Sequence, residues 1–345
     1  MSETSLPASN VSLEDCNHLS YAAWQPGYLT GGVHHNLIAV ICINSISAIA
    51  AILSNALVVA VIATKQQLRT LYNILLACMG ATDLMVGMLV QPLFVVSEIK
   101  HLNGFAPFCA LDTVVSVTSY GFCLASVGHL VLISVERYVF IKLPLRYEEI
   151  ATENRMIVGV LTVWVVSASF SITMIMMAST NELAENQPLL TIFELLTAFI
   201  VFVYIAVIVY TCVVVLLESQ RQKRRMQTHQ LSAEETQQLR KNNKASYTFT
   251  IIVTGLLFSY MPTLVLNIYA AISNDWVEPH LLYVISSWSF TSVLLGSLLN
   301  PLIYFWRIAT LRRAFLDFMH IGTVHPPQDN QPHLSREAWS VANTS

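Results

Sequence analysis

The sequence predicts an all-α membrane protein, a bundle of seven transmembrane helices with a short amphipathic eighth helix. Three observations carry this. Of 345 residues, 54% are hydrophobic and only 11% charged, too apolar for a soluble domain wrapped in polar surface. Seven long apolar segments can be drawn, at about 36–64, 71–99, 109–136, 156–180, 190–217, 245–273 and 279–306. At ~1.5 Å per residue each can cross ~30 Å of hydrocarbon. Of the 18 Lys and Arg, only Lys100 falls in a loop on the side opposite the rest. Positive residues stay cytoplasmic, so the N-terminus is expected outside the cell.

The predicted organisation is an outer segment at 1–35, the bundle at 36–306, the amphipathic helix at 307–320 and an inner tail at 321–345. The outer segment has no Lys or Arg and no short apolar core, so the first span is expected to act as its own insertion signal. Asn10 opens the sequon Asn10-Val11-Ser12, an expected glycosylation site. Cys42, Cys78, Cys123 and Cys212 lie within spans, as small apolar filler. Cys16 and Cys109 fall on the expected oxidising side and form the one disulfide candidate.

Taken in order, each span has its own polar signature. The first contains Asn55 and the second a lone acid, Asp83. A carboxylate at mid-membrane costs several kcal/mol, so Asp83 should face the bundle interior and find partners. The third runs uncharged from Thr113 to Val135, with His129 its one residue that titrates near neutral pH, and ends in Glu136-Arg137-Tyr138. An adjacent acid can neutralise such an arginine at tolerable cost. Pro144-Leu145-Arg146-Tyr147 follows. Trp164 marks the fourth span, Tyr210 the inner end of the fifth and Pro262 the sixth. The basic loop 218–244 reads as helical extensions of the fifth and sixth spans. The seventh closes on Asn300-Pro301-Leu302-Ile303-Tyr304, where a proline frees carbonyls that need neighbours. Ile308, Leu311, Phe315 and Phe318 then make an apolar stripe with Arg312 and Arg313 off it, suited to an inner-leaflet helix. No cysteine follows, so a palmitoyl anchor is not expected.

These motifs together resemble the rhodopsin-like (class A) G-protein-coupled receptors, over about residues 36–320. The resemblance implies a plasma-membrane glycoprotein, not an enzyme. It would bind an extracellular ligand in the outer half of the bundle and activate heterotrimeric G proteins through the third, fifth and sixth helices. It assigns coupling and switching to Glu136, Arg137, Tyr138, Tyr210, Asn300, Pro301 and Tyr304. It also implies a sodium site at Asp83, Ser126, Ser297 and Asn300, weakened because Gly296 lacks a polar side chain the family often has there. No other cofactor and no nucleic-acid partner is implied.

Four departures from the family pattern stand out. Asp112 stands where the family has its outer-loop disulfide cysteine. Ser259-Tyr260-Met261-Pro262 replaces Cys-Trp-x-Pro, Phe202 replaces a helix-five proline, and Asn242 replaces an acid at the base of helix six. Without that acid to pair with Arg137, measurable agonist-free signalling is expected. The missing disulfide and missing proline resemble the melanocortin, cannabinoid and adenosine group.

Amine receptors of the family hold the ligand's ammonium with an Asp where this chain has Ser119. No Lys follows Lys244, which excludes a covalent retinal pigment. The ligand-pocket candidates are Asp112, Ser119, Glu194, Tyr260 and Asn267, with Glu98 as an exposed loop-edge carboxylate. Two acids, Asp112 and Glu194, without an interior cation favour a cationic ligand or a bound divalent ion. A polytopic transporter or channel is the alternative that would also explain Asp83.

Overall fold

A computed structural model describes residues 30–105, 109–179, 187–228, 233–272 and 278–319. These residues are almost wholly helical. The helices are α1 (Gly31–Thr64), α2 (Leu71–Leu102), α3 (Cys109–Lys142) and α4 (Glu153–Ser179). Then come α5 (Gln187–Thr228), α6 (Ala233–Ile272), α7 (Pro279–Arg307) and α8 (Ala309–Phe318). Helices α1 to α7 each contain a stretch long and apolar enough to cross a membrane.

Helix α1 starts at Gly31, ahead of the predicted start at 36. Helices α5 and α6 run on into the 218–244 loop, as its composition suggested. The α2 ladder widens into one π turn at Val86–Val90, where the Gln91 N–H bonds Val86 O. Pro92 explains it, because its ring displaces the carbonyl of the preceding turn and supplies no N–H. The extra residue turns everything beyond by roughly 100° relative to an unbroken α-helix.

The largest core cluster joins Leu76 and Met79 of α2, Leu130 and Ile133 of α3, Ile208 of α5, Phe249 and Ile252 of α6 and Tyr304 of α7. Leu311 and Phe315 of α8 complete it. Large apolar side chains also face outward, among them Ile46 and Leu53 of α1, Val165 of α4, Phe202 of α5 and Phe258 of α6. Helices apolar on all sides suit a bundle whose solvent is lipid, where burying apolar surface gives no drive for helix to meet helix. Close side-chain packing and polar contacts therefore decide how these helices are arranged.

Candidate functional site

At the inner end of α3, Glu136 and Arg137 are both 7% exposed. Arg137 donates from Nε and Nη2 to the two carboxylate oxygens of Glu136, each at 2.5 Å. This forked pairing satisfies two charges that would be costly to bury alone. The turn at Pro144–Arg146 brings Tyr147 back toward α3, and its hydroxyl donates to Glu136 Oε1 at 2.7 Å. Burial, then the Glu136 charge beside it, raises the Tyr147 pKa above the usual 10.0. The phenol therefore remains a donor at physiological pH. The Arg137 guanidinium lies over the Tyr72 ring, 4.1 Å from its centroid, and 4.7 Å from that of Phe140. Among the described residues, Glu136 is the one acid paired with it. The rings of Tyr138 and Tyr210 stand 6.3 Å apart, and Tyr210 is exposed on α5. Asn242, Lys241 and Lys244 belong to α6, but their side chains lie outside the described residues.

Midway through the bundle, Asp83 is fully buried. It accepts hydrogen bonds from Ser126 Oγ (2.8 Å), Ser297 Oγ (3.0 Å) and Asn300 Nδ2 (2.8 Å). The four residues grouped from the sequence do converge, from α2, α3 and α7. Asn55 of α1 joins them by donating to Ser297 O at 3.0 Å. Pro301 follows Asn300 inside α7, and Tyr304 is buried one turn inward. A cavity of about 20 Å³ borders Ser126, Ser297, Asn300, Gly296 and Tyr260, room for one water or small ion.

At the outer end, one expectation is overturned. Glu98 is not an exposed loop-edge acid: it is 3% exposed. Tyr283 Oη donates to it at 2.6 Å and Ser287 Oγ at 3.0 Å, and His101 Nδ1 lies 2.7 Å from the same tyrosine oxygen. The reason is the rotation introduced by the π turn, which brings this face of α2 against α7. Ser97, beside Glu98, donates to Asp112 Oδ1 of α3 at 2.9 Å. Ser119 is buried and donates to Val115 O of its own helix. The Tyr260 hydroxyl reaches Cys123 O at 3.4 Å. Glu194 and Asn267 stand in α5 and α6, and Cys109 opens α3, but their side chains are outside the described residues. Asn10 and Cys16 are outside them altogether.

Sequence reasoning missed Tyr72, His101 and Tyr283. A signal existed for the outer cluster: Glu98 and His101 at i,i+3, and Tyr283 and Ser287 at i,i+4, put polar pairs on single helix faces. None existed for Tyr72, an aromatic in an apolar helix.

Residues 54–304 match the family described as 7 transmembrane receptor (rhodopsin family). The chain belongs to this rhodopsin family of receptors. Trace amine-associated receptor 9 of Mus musculus is 26% identical over 322 residues, covering 87% of this chain and 86% of that receptor. The Histamine H2 receptor of Cavia porcellus is 23% identical over 277 residues, covering 77% of this chain and 74% of its own. The Homo sapiens Trace amine-associated receptor 9 is 26% identical over 276 residues, 74% of this chain and 77% of that one. This rhodopsin-family receptor is thus a multi-pass G-protein-coupled receptor of the plasma membrane, and not an enzyme. It binds an extracellular ligand and couples to G proteins. Nothing supports the transporter alternative.

Proposed function

We propose that this receptor, with its N-terminus outside the cell, responds to a cationic extracellular ligand held by Asp112 and Glu194. One observation carries the reading. Asp112 turns toward α2 at the outer mouth, with Glu98 buried in the same outer region, against a single lysine, Lys100, on that side of the chain. Carboxylates of this kind draw cations. Relatives named for trace amines and histamine agree with a small cation. Ser119 argues that its ammonium is not held at the usual helix-three position. Asp112 lies seven residues further out, ~10 Å along the helix.

A panel of amines, short cationic peptides, nucleosides and neutral lipids, read by nucleotide exchange on added G proteins, tests this. Asp112→Asn and Glu194→Gln should each weaken the agonist about tenfold, ~1.4 kcal/mol. A neutral agonist indifferent to both substitutions overturns the reading.

Coupling and switching belong in this proposal to Glu136, Arg137, Tyr138, Tyr210, Asn300, Pro301 and Tyr304. Sodium is proposed as a modulator. Asp83 supplies the charge for it, Ser126 and Ser297 bring hydroxyl oxygens to the same carboxylate, and Asn300 donates to it from Nδ2. The carboxylate and the two hydroxyl oxygens suit a hard cation. Glycosylation at Asn10 and a Cys16–Cys109 disulfide complete the outer face, and peptide mapping without reductant checks the latter.

A further inference from the structure

We propose that Tyr72 is a positioning residue that restrains Arg137 in the resting receptor, in the role an acid on helix six plays in many family members. The inference rests on reading Arg137 as the switch. This chain has Asn242 where that acid would stand, flanked by Lys241 and Lys244, so the usual bond between the third and sixth helices has no acid to make it. The arginine is nevertheless buried, at 7% exposure.

Two contacts account for its place. Glu136 pairs with it, but Glu136 is its neighbour in the same helix. That pair neutralises charge without tying α3 to another element. Among the described residues, the contact that does cross helices is the guanidinium stacked on Tyr72 of α2, 4.1 Å from the ring centroid. A cation over an aromatic face gains most when both are shielded from water, and Tyr72 is 9% exposed. Phe140, one turn on from Arg137 in α3, lies 4.7 Å from the guanidinium and narrows the slot.

In this slot Arg137 shows only 7% of its surface, which leaves little of it for a cytoplasmic partner. To reach one it must leave the Tyr72 ring, so the stack stabilises the resting state by whatever it is worth. The ring face is what matters. The Tyr72 hydroxyl has no hydrogen-bond partner among the described residues, so deleting it should cost little.

The test uses full-length receptor in lipid nanodiscs at equal amounts of folded protein. Agonist-free nucleotide exchange is measured on Gs, Gi and Gq heterotrimers. Helix-six opening is read from a fluorophore attached at Gln237, which needs no G protein. Tyr72→Leu should raise the open population, and any detectable basal exchange, about fivefold. Tyr72→Phe should stay within about twofold of wild type, because the face is retained. Adding Asn242→Glu to Tyr72→Leu should reverse the rise by restoring a tie to helix six. If Tyr72→Leu fails to fold, Tyr72→Met replaces it. An unchanged open population in the folded variant overturns the proposal, as does an equal rise in Tyr72→Phe and Tyr72→Leu. Arg137→Ala separates the two levels. If it signals normally once an agonist is found, Arg137 is not the switch. If it is silent while Tyr72→Leu is flat, only the role of Tyr72 fails.

Discussion

At the scale of single residues, burial and partners set what each polar group can do. Asp83 and Glu98 are two acids on one helix, and among the described residues the structure gives the first three side-chain donors and the second two. A buried carboxylate without such donors would cost several kcal/mol. For Asp83 the partners come from α3 and α7, so any cation bound there would hold three helices together. Ligand binding to the folded state raises apparent stability by mass action. Replacing choline chloride with sodium chloride at constant ionic strength should therefore raise the melting temperature of the wild-type receptor. Asp83→Asn should abolish that rise, because the charge that attracts the ion is gone. A wild-type melting temperature indifferent to sodium would remove the proposed site.

At the scale of elements, the outer ends of α2, α3 and α7 are tied by polar contacts where the family uses a disulfide to hold helix three. Glu98, Tyr283, Ser287 and His101 join α2 to α7, while Ser97 and Asp112 join α2 to α3. The group acts as a unit, since Tyr283 donates to the acid and also meets the histidine. Tyr283→Phe and Glu98→Gln should each destabilise the purified receptor by about 1–3 kcal/mol. The double variant should cost clearly less than the sum, because the two changes remove one shared bond. Additive losses, measured by thermal unfolding, would show that the two side chains act separately. The same geometry explains why Glu98 was misplaced from sequence: its direction depends on one extra residue in the turn before Pro92.

At the scale of the whole molecule, α8 shows how side-chain packing closes the inner face. Leu311 is fully buried and Phe315 nearly so, both in the main core cluster. Phe315 also stacks on Phe305 of α7, with ring centroids 5.9 Å apart and planes 7° apart. Packing therefore holds this helix. Leu311→Ala should cost about 2–5 kcal/mol of stability, as for a buried leucine elsewhere. Phe318→Ala, at a residue 42% exposed, should cost well under that. Equal effects in a thermal-melt series would mean that α8 is held by the membrane surface instead.

Much of this architecture was legible in the chain. Seven apolar segments, the basic asymmetry and the amphipathic stripe after Tyr304 determined the fold class, because a bilayer admits long helices with few charges and little else. The polar residues inside those segments were equally conspicuous, and the cost of burying them implied that Asp83 must meet partners, while the family resemblance pointed to Ser126, Ser297 and Asn300. What only the tertiary structure decided is which face each helix presents. In an apolar solvent the hydrophobic pattern does not distinguish inside from outside, so Tyr72 looked like any other aromatic, and Glu98 like a residue at a loop edge. A π turn rotated one of them inward, and the crossing of α2 with α3 laid the other beneath Arg137. Those rotations depend on contacts between residues far apart in sequence, and no local pattern encodes them.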